Sequence, residues 1–181
     1  MDGLCGLLVE IDGAVANGRT SATEPYALNL QSEGQIEFQC SASTLVGIAF
    51  NLMANASAAL EGRDGGRLDI FVCQHDGRVF LQVADNGPGM PVQVCEWFVA
   101  VRRAPSEAIG SVGTGLQTVR SLVSEAGGTF NLLHTGGEGT RLGIDMPAAG
   151  APRPDGPVSG GRVAGITDVA ALASRAVRGA R

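Results

Sequence analysis

Two asparagines four residues apart, Asn51 and Asn55 in the stretch NLMAN, are of a type and spacing that can do chemistry. The surrounding sequence predicts a helix, on which residues four apart share a face. Carboxamide oxygens suit a hard cation and carboxamide nitrogens donate to phosphate, a combination that fits a magnesium nucleotide. Exposed polar side chains on a helix are also common without any ligand. The pair alone therefore leaves a binding face and a solvated face equally open.

The stretch VADNGPGMP, residues 83–91, places a carboxylate at the end of a predicted strand, directly before closely spaced glycines. A carboxylate buried there requires a hydrogen-bond donor, and the exocyclic amine of a purine would serve Asp85 in that role. Gly87 and Gly89 would let the backbone approach a flat ring closely, with Met90 packed on it. An ordinary turn built on Asn86-Gly87 accounts for the same residues. Considered by itself, this stretch favours the turn.

A third stretch, GSVGTGLQTVRSLV, places Gly113, Thr114 and Gly115 at the start of a predicted helix. Free backbone N–H groups and the helix dipole attract anions at such a start. Arg102 and Arg103 lie in the segment just before it, from which their guanidinium groups could reach a terminal phosphate. A glycine-rich helix start is weak evidence in isolation, so its weight depends on the two stretches before it.

Composition excludes several classes of function. The chain has 181 residues, of which 44% are hydrophobic, and it carries 13 basic against 18 acidic residues, a formal net charge of −5. This balance provides material for a core and argues against a nucleic-acid partner. Every basic residue is an arginine. The absence of lysine excludes phosphate-binding loops that end in Gly-Lys-Ser/Thr, the protein-kinase strand lysine and Schiff-base catalysis.

Cysteine usage and hydropathy bear on where the protein works. The four cysteines are dispersed without a Cys-x-x-Cys pair, which is typical of reduced, structural thiols. The sequence shows neither a signal peptide nor a run of about 18 apolar residues. We therefore expect a cytoplasmic chain that makes no membrane contact.

Periodicity and turn signals predict the elements that must position the three stretches. Helices are predicted over residues 3–17, 41–62 and 113–126, the second capped by Ser41 or Ser43 and ended by Gly62. Hairpins are predicted for YALNL with QIEFQC, for the runs on either side of Asp76-Gly77, and for TFNLLHTGGEGTRLGIDMP. A short amphipathic segment, VCEWFVAVRR, lies within the glycine- and proline-rich stretch 86–113.

This order of elements predicts an α/β two-layer sandwich, in which helices cover one face of a mixed, mostly antiparallel sheet. We expect three segments: an N-terminal helix and linker over 1–24, the sandwich over 25–147, and a flexible linker with a short C-terminal helix over 148–181.

Taken together, four motifs resemble the GHKL ATPase superfamily, specifically the catalytic and ATP-binding domain of bacterial sensor histidine kinases. The motifs are Asn-x-x-x-Asn-Ala on a helix, Asp-x-Gly-x-Gly after a strand, Gly-x-Gly-Leu opening a helix, and Gly139-Thr140 in the last hairpin. The resemblance runs from about Gln35 to Pro147 and implies the Bergerat fold, with ATP and Mg²⁺ as ligands. A match to one such motif is only a hypothesis. The resemblance rests on the presence of all four motifs in this order along the chain.

The resemblance implies roles for the residues at the adenine end of such a site. Asp85 would bind the adenine amine, and Thr140 would support the aspartate through its hydroxyl or a water. Gly87 and Gly89 would line the adenine site, and Met90 would begin a lid that extends to residue 112.

The resemblance also implies roles at the phosphate end. Asn55 would be the magnesium ligand, with Asn51 beside the phosphates. From their position before the glycine box, and not from the resemblance, we expect Arg102 and Arg103 to act with Asn51 in transfer, by neutralising charge on the terminal phosphate. The phosphates would be wrapped by the residues of the glycine box, namely Gly113, Thr114, Gly115 and Leu116.

The sequence departs from the family's pattern at several positions. Ala58 stands where a basic residue is common, and Gln117 replaces the last glycine of the phosphate box. The stretch VCEWF resembles the phenylalanine box and retains Phe98, but Cys95 stands where the first phenylalanine is usual. These departures bear on transfer more than on nucleotide binding, because transfer needs positioned cations around the γ-phosphate.

The phosphoacceptor of the family lies on a dimerising helical hairpin that precedes this domain. The residues before Gly18 are too few for two long helices, and His75 and His134 are expected to be solvent-facing or structural. We therefore expect the partner to be a histidine-bearing dimerisation domain, a response regulator or a phosphotransfer protein. Two alternatives remain: a serine/threonine kinase of the anti-sigma-factor type, and a nucleotide-binding docking module without transfer activity.

Overall fold

A five-stranded sheet with helices packed on one face forms the described part of the chain. The computed structural model describes residues 6–8, 10–12, 26–100 and 113–150. Residues 6–8 and 10–12 are helical. The strands are β1 (Ala27–Glu33), β2 (Arg67–His75), β3 (Arg78–Asp85), β4 (Thr129–Gly136) and β5 (Gly139–Pro147). The helices are α1 (Ala42–Ala59), α2 (Val92–Ala100) and α3 (Thr114–Glu125).

The strand order is β1-β2-β3-β5-β4, with β1 parallel to β2 and every other neighbouring pair antiparallel. Inward side chains of the central strands, such as Ile70, Val79 and Ile144, pack against the helices in one core. The predicted two-layer sandwich with a mixed, mostly antiparallel sheet is therefore confirmed. The second hairpin turns at Asp76-Gly77 as predicted, and both residues adopt positive φ (49° and 70°).

The hairpin predicted for YALNL with QIEFQC is wrong. The first piece forms β1, which pairs with β2 from Ala27 opposite Arg67 onward. The second piece runs beside the end of β5, where Phe38 forms an isolated bridge with Ala148. Parallel pairing with β2 buries one face of β1 against the core, whereas a local hairpin would leave β1 at the edge of a two-stranded ribbon.

Helix α1 is the long helix that the sequence predicts. Ser41 caps it, because its side chain accepts a hydrogen bond from the Thr44 N–H. With 18 residues and a mean hydropathy of 1.2, α1 is long and apolar enough to cross a membrane. Ile48 and Met53 are nevertheless fully buried in the core of the sandwich, as expected for the central helix of a folded domain.

The cysteines within the described residues are free thiols. Cys73 is buried beside Phe71 on the sheet face opposite the helices, while Cys40 and Cys95 are half-buried. Burial raises the pKa of the Cys40 and Cys73 thiols, so both are poor nucleophiles at neutral pH. The structural role of these thiols stays a prediction, and Cys5 and the C-terminal helix predicted within 151–181 lie outside the described residues.

The turn between β4 and β5 contains a close backbone approach. Gly139 has φ +118°, and a Cβ atom built on it would lie 1.9 Å from the carbonyl oxygen of Asp85. No side chain fits there without separating β5 from β3. Gly137, two residues earlier in the same turn, has open space around the position of a Cβ atom.

We predict that Gly139→Ala lowers the free energy of unfolding by roughly 2 kcal/mol or more, through steric overlap and an unfavourable φ. Gly137→Ala is the matched control and should change stability by less than about 0.5 kcal/mol. Urea denaturation of the two variants measures the difference, and equal stability would contradict the close approach.

Candidate functional site

The carboxylate of Asp85 lies half-buried at the end of β3. Its Oδ1 accepts hydrogen bonds from the backbone N–H groups of Gly87 (2.8 Å) and Thr140 (3.3 Å). Burial raises the pKa of Asp85, and these two hydrogen bonds, one from its own backbone N–H and the charge of Arg63 offset only part of that effect. Both of these backbone N–H groups donate to Oδ1, so neither of them occupies Oδ2.

Thr140 contacts Asp85 through its backbone, whereas the sequence predicted its hydroxyl or a water. Thr140 is buried (6% exposed) and lies directly opposite Asp85 in the ladder between β3 and β5. The close approach at Gly139 brings the Thr140 N–H to the carboxylate. The predicted contact is therefore present, but through a different atom.

The glycines after Asp85 are required by contacts within the protein. A Cβ atom on Gly87 would lie 3.1 Å from the carbonyl oxygen of Ala59, at the end of α1. Gly89 has φ +86°, and a Cβ atom on it would lie 2.5 Å from the carbonyl oxygen of Gly136. The predicted reason for these glycines, close approach to a flat ring, is therefore not needed to explain them.

The rest of the loop after β3 is held by polar contacts. The Asn86 carboxamide accepts from the Arg67 N–H (2.8 Å) and donates to the Gly65 carbonyl (3.0 Å). The Met90 N–H donates to the Thr135 hydroxyl (2.7 Å), and the Met90 side chain packs on the core. The loop is thus anchored to the start of β2 through Asn86 and to β4 through Met90. These contacts fix the position of the carboxylate that precedes the loop.

Asn51 and Asn55 lie beside the first turn of α3. Asn51 donates to the Gly47 carbonyl (2.7 Å), which fixes its carboxamide. A Cβ atom on Gly115 would lie 3.0 Å from Oδ1 of Asn51 and 3.5 Å from Nδ2 of Asn55. The glycine at position 115 thus lets the start of α3 lie close to the two carboxamides, and a Cβ atom there would require the Asn51 side chain to shift.

The start of α3 lacks a capping side chain within the described residues. Gly113 is its N-cap and provides no side-chain hydrogen bond, and the first turn contains no acidic residue. Gly113 and Thr114 are exposed, whereas the Leu116 side chain is buried (7% exposed) in the core. An anion at this helix start would therefore meet backbone N–H groups, and Leu116 can contribute only its backbone.

The three predicted stretches converge along one side of α1. Asn51, Asn55 and Ala59 follow one another at four-residue intervals, which places them on one stripe roughly 12 Å long. Gly115 contacts the two asparagines, and Gly87 contacts Ala59. The start of α3 and the loop that holds Asp85 thus meet the same stripe of α1 at neighbouring points.

Some features lie outside this convergence. Arg102 and Arg103 lie outside the described residues. Within the described part of the chain, no three of His, Cys, Asp and Glu are grouped as metal ligands, so a cation here would rely on Asn55 and on groups of its ligand.

A surface cavity of about 410 Å³ lies at the far end of the sheet, lined in part by Gly77 and Pro147, about 23 Å from Asp85.

Sequence reasoning missed a contact next to this site. The guanidinium carbon of Arg120, on α3, lies 3.2 Å from the centroid of the Trp97 ring on α2. The two residues are far apart in the sequence, and no local pattern connects them.

A family model and the similar sensor proteins assign the chain to the same family. The family model described as histidine kinase-, DNA gyrase B-, and HSP90-like ATPase matches residues 40–150. Sensor protein ChvG of Agrobacterium fabrum is 29% identical over 161 residues, covering 82% of this chain and 27% of that protein. Two-component sensor PprA of Pseudomonas aeruginosa is 32% identical over 152 residues, covering 70% of this chain and 16% of that protein. The chain thus spans only a minor part of the length of these sensor proteins.

A solved structure supports the same conclusion for the fold. The mycobacterial sensor histidine kinase MprB matches with a TM-score of 0.59 at 22% identity, over 80% of this chain and 95% of that chain. At this identity the likeness concerns the fold alone, and it confirms the Bergerat fold expected from the sequence.

The raised pKa of Asp85 predicts how stability depends on pH. Between the ordinary carboxyl pKa (3.8) and the raised value, the folded state binds more protons than the unfolded chain. The free energy of unfolding therefore falls as the pH rises through that window, and Asp85→Asn should remove this contribution. Urea denaturation at a series of pH values from about 4 upward measures the slope. An identical slope in the variant would contradict the buried position of the carboxylate.

Proposed function

The chain belongs to the family of histidine kinase-, DNA gyrase B-, and HSP90-like ATPases, and from that membership we propose that it binds ATP with Mg²⁺ and transfers the γ-phosphoryl group to a histidine. The histidine would lie on a separate dimerisation domain or on a partner protein of two-component signalling. The observation that carries the proposal is the convergence of Asp85, Asn51, Asn55 and the start of α3 along one side of α1.

Asp85 would recognise the adenine ring. Its Oδ1 is engaged by the N–H groups of Gly87 and Thr140, so Oδ2 would accept from the exocyclic amine. A purine with an amine at this position satisfies the half-buried carboxylate, whereas a purine with a carbonyl there would repel it. The backbone at Gly89 and the side chain of Met90 would border the ring.

The phosphates would lie between α1 and the start of α3. The N–H groups of the glycine box, from Gly113 to Leu116, would donate to phosphate oxygens at the positive end of the α3 dipole. Asn51 would contact the phosphates, and Asn55 would offer its carboxamide oxygen to Mg²⁺, which neutralises phosphate charge when bound.

Transfer in this proposal depends on positioning and charge neutralisation, without a covalent enzyme intermediate. Arg102 and Arg103 precede the glycine box and would supply positive charge near the γ-phosphate, where Ala58 provides none. His75 is exposed at the β2–β3 turn, at the far end of the sheet from Asp85, and His134 is exposed on β4. We expect neither histidine to be the acceptor, and in this proposal a second domain or protein provides it.

A serine/threonine kinase of the anti-sigma-factor type fits the site less well. That reaction requires a carboxylate beside the first asparagine to activate a hydroxyl, and α1 contains no acidic residue between Ala42 and Ala59. A docking module without transfer activity is favoured by Ala58 and Gln117, because these residues replace a basic residue and a glycine that are usual in the family.

The decisive experiment is incubation of the chain with γ-labelled ATP, alone and with histidine-hairpin or receiver proteins. Acid-labile, base-stable label on a histidine-hairpin protein supports the proposal. Acid-stable label on a serine or threonine supports the alternative kinase. If no label is transferred although ATP binds, the docking module replaces the proposal.

We predict that Asp85→Asn weakens ATP binding by roughly 1–3 kcal/mol, because the variant places an amide donor opposite the adenine amine. The Oδ1 acceptor is kept, so the fold should persist. Isothermal titration calorimetry measures the affinity, and Asp76→Asn, at the exposed turn at the other end of β3, is the matched control. Unchanged affinity in a folded Asp85→Asn protein would remove Asp85 from the site.

We also predict that Asn55→Ala abolishes the magnesium dependence of ATP binding, since Asn55 would be the ligand that the protein offers to the cation. Titrations with Mg²⁺ and with a chelator give this dependence directly. Asn29→Ala, on the exposed edge strand β1, is the control and should retain it. Persistence of the dependence in Asn55→Ala would rule out Asn55 as the ligand.

A further inference from the structure

The single tryptophan of the chain lies under a charged side chain from another helix. Trp97, on α2, is only 4% exposed, and the guanidinium carbon of Arg120 lies 3.2 Å above the centroid of its ring. The same carbon is 5.6 Å from the centroid of Phe98. A cation within about 6 Å of an aromatic ring is attracted by the ring quadrupole, and more strongly when water is excluded.

Arg120 is a partly buried cation whose described partners are aromatic. Burial lowers its pKa to about 10, so the side chain remains charged at neutral pH. Within the described residues, none of the ion pairs involves Arg120. Within the described residues, the interactions of this charge are therefore the cation–π contacts with the rings of Trp97 and Phe98.

The aromatic cluster continues into the sheet. Phe98 meets Trp97 edge-on, with ring centroids 4.9 Å apart, and meets Phe130 of β4 at 5.2 Å. Phe98 is 8% exposed, so this contact is largely dry. Helix α2 is thus attached to β4 through Phe98 and to α3 through Trp97.

Arg120 and the phosphate-facing glycine lie on opposite flanks of α3. Gly115 contacts the asparagines of α1, and Leu122, on the same flank, lies 3.0 Å from the position of a Cβ atom on Gly47. Arg120 is about 140° around the helix from Gly115, towards α2. Helix α3 therefore lies between α1 and α2, and a displacement on the Arg120 flank moves Gly115 relative to Asn51.

From this arrangement we propose that Arg120 is a positioning residue for nucleotide binding, which holds α2 and α3 at a fixed separation through its contact with Trp97. Helix α2 begins two residues after Met90, at the proposed adenine end, and α3 begins at the proposed phosphate end. The contact thus keeps α3 in place against α2 while α1 sets the distance between the two ends of the site, a role that rests on the proposed function and adds a residue outside the recognised motifs.

The test compares Arg120→Met, which removes the charge but keeps an unbranched side chain, with Arg120→Lys, which keeps a cation. Arg141→Met, at an exposed position of β5, is the control. The dissociation constant for ATP with Mg²⁺ is measured by calorimetry, exposure of Trp97 by acrylamide quenching, and stability by urea denaturation. Because Trp97 is the only tryptophan, its fluorescence reports this contact alone.

We expect Arg120→Met to weaken ATP binding by roughly 3- to 30-fold and to make Trp97 more accessible to acrylamide, the range that a partly desolvated cation–π contact can supply. Arg120→Lys should bind ATP within about 3-fold of wild type, and Arg141→Met should match wild type in both measurements. Rescue by lysine at equal urea stability separates positioning by the cation from a general loss of packing.

Wild-type affinity in Arg120→Met would overturn the proposal. Equal weakening in the methionine and lysine variants would also overturn it, because the charge would then not be responsible. If wild-type protein bound no adenine nucleotide, the proposed function would fail and the positioning role with it. In that case the quenching data would still decide whether Arg120 covers Trp97.

Discussion

The half-buried carboxylate of Asp85 is the constraint on which this end of the fold depends. A carboxylate removed from water costs free energy unless donors replace the lost hydration. The chain brings the Gly87 and Thr140 N–H groups to one oxygen, and it does so through backbone approaches that only glycines at 87 and 139 permit. Because both of these donors serve Oδ1, the carboxylate is fixed in place, and Oδ2 is the acceptor that we propose for a ligand.

Helix α1 relates the carboxylate to the rest of the site. Its apolar side is buried in the core, which fixes the rotation of the helix and therefore the direction of Asn51 and Asn55. The loop after β3 packs on Ala59 and the start of α3 packs on the asparagines, so one rigid helix sets the distance between a base-recognition end and an anion-binding end. The four-residue spacing of Asn51, Asn55 and Ala59 along α1 thus sets the distance between the two ends of the proposed nucleotide site.

Local signals predicted much of this structure, and the failures occurred where contacts are non-local. Asp76-Gly77 requires positive φ at both positions and specifies its hairpin, and Ser41 caps α1 through a residue three positions away. The partner of β1 was not predictable, because parallel pairing across a helix leaves no turn signal. The contact of Arg120 with Trp97 was missed for the same reason. The roles of Arg102 and Arg103 stay predictions from sequence.

The central claim is that Oδ2 of Asp85 recognises an exocyclic amine. Calorimetric titration of the wild-type chain with ATP and with inosine triphosphate, both with Mg²⁺, tests it most directly, because the two nucleotides differ only at the amine-bearing carbon and the ring nitrogen beside it. The account predicts that the inosine nucleotide, with a carbonyl opposite the carboxylate, binds at least about 10-fold more weakly. Equal affinity for the two nucleotides would contradict it.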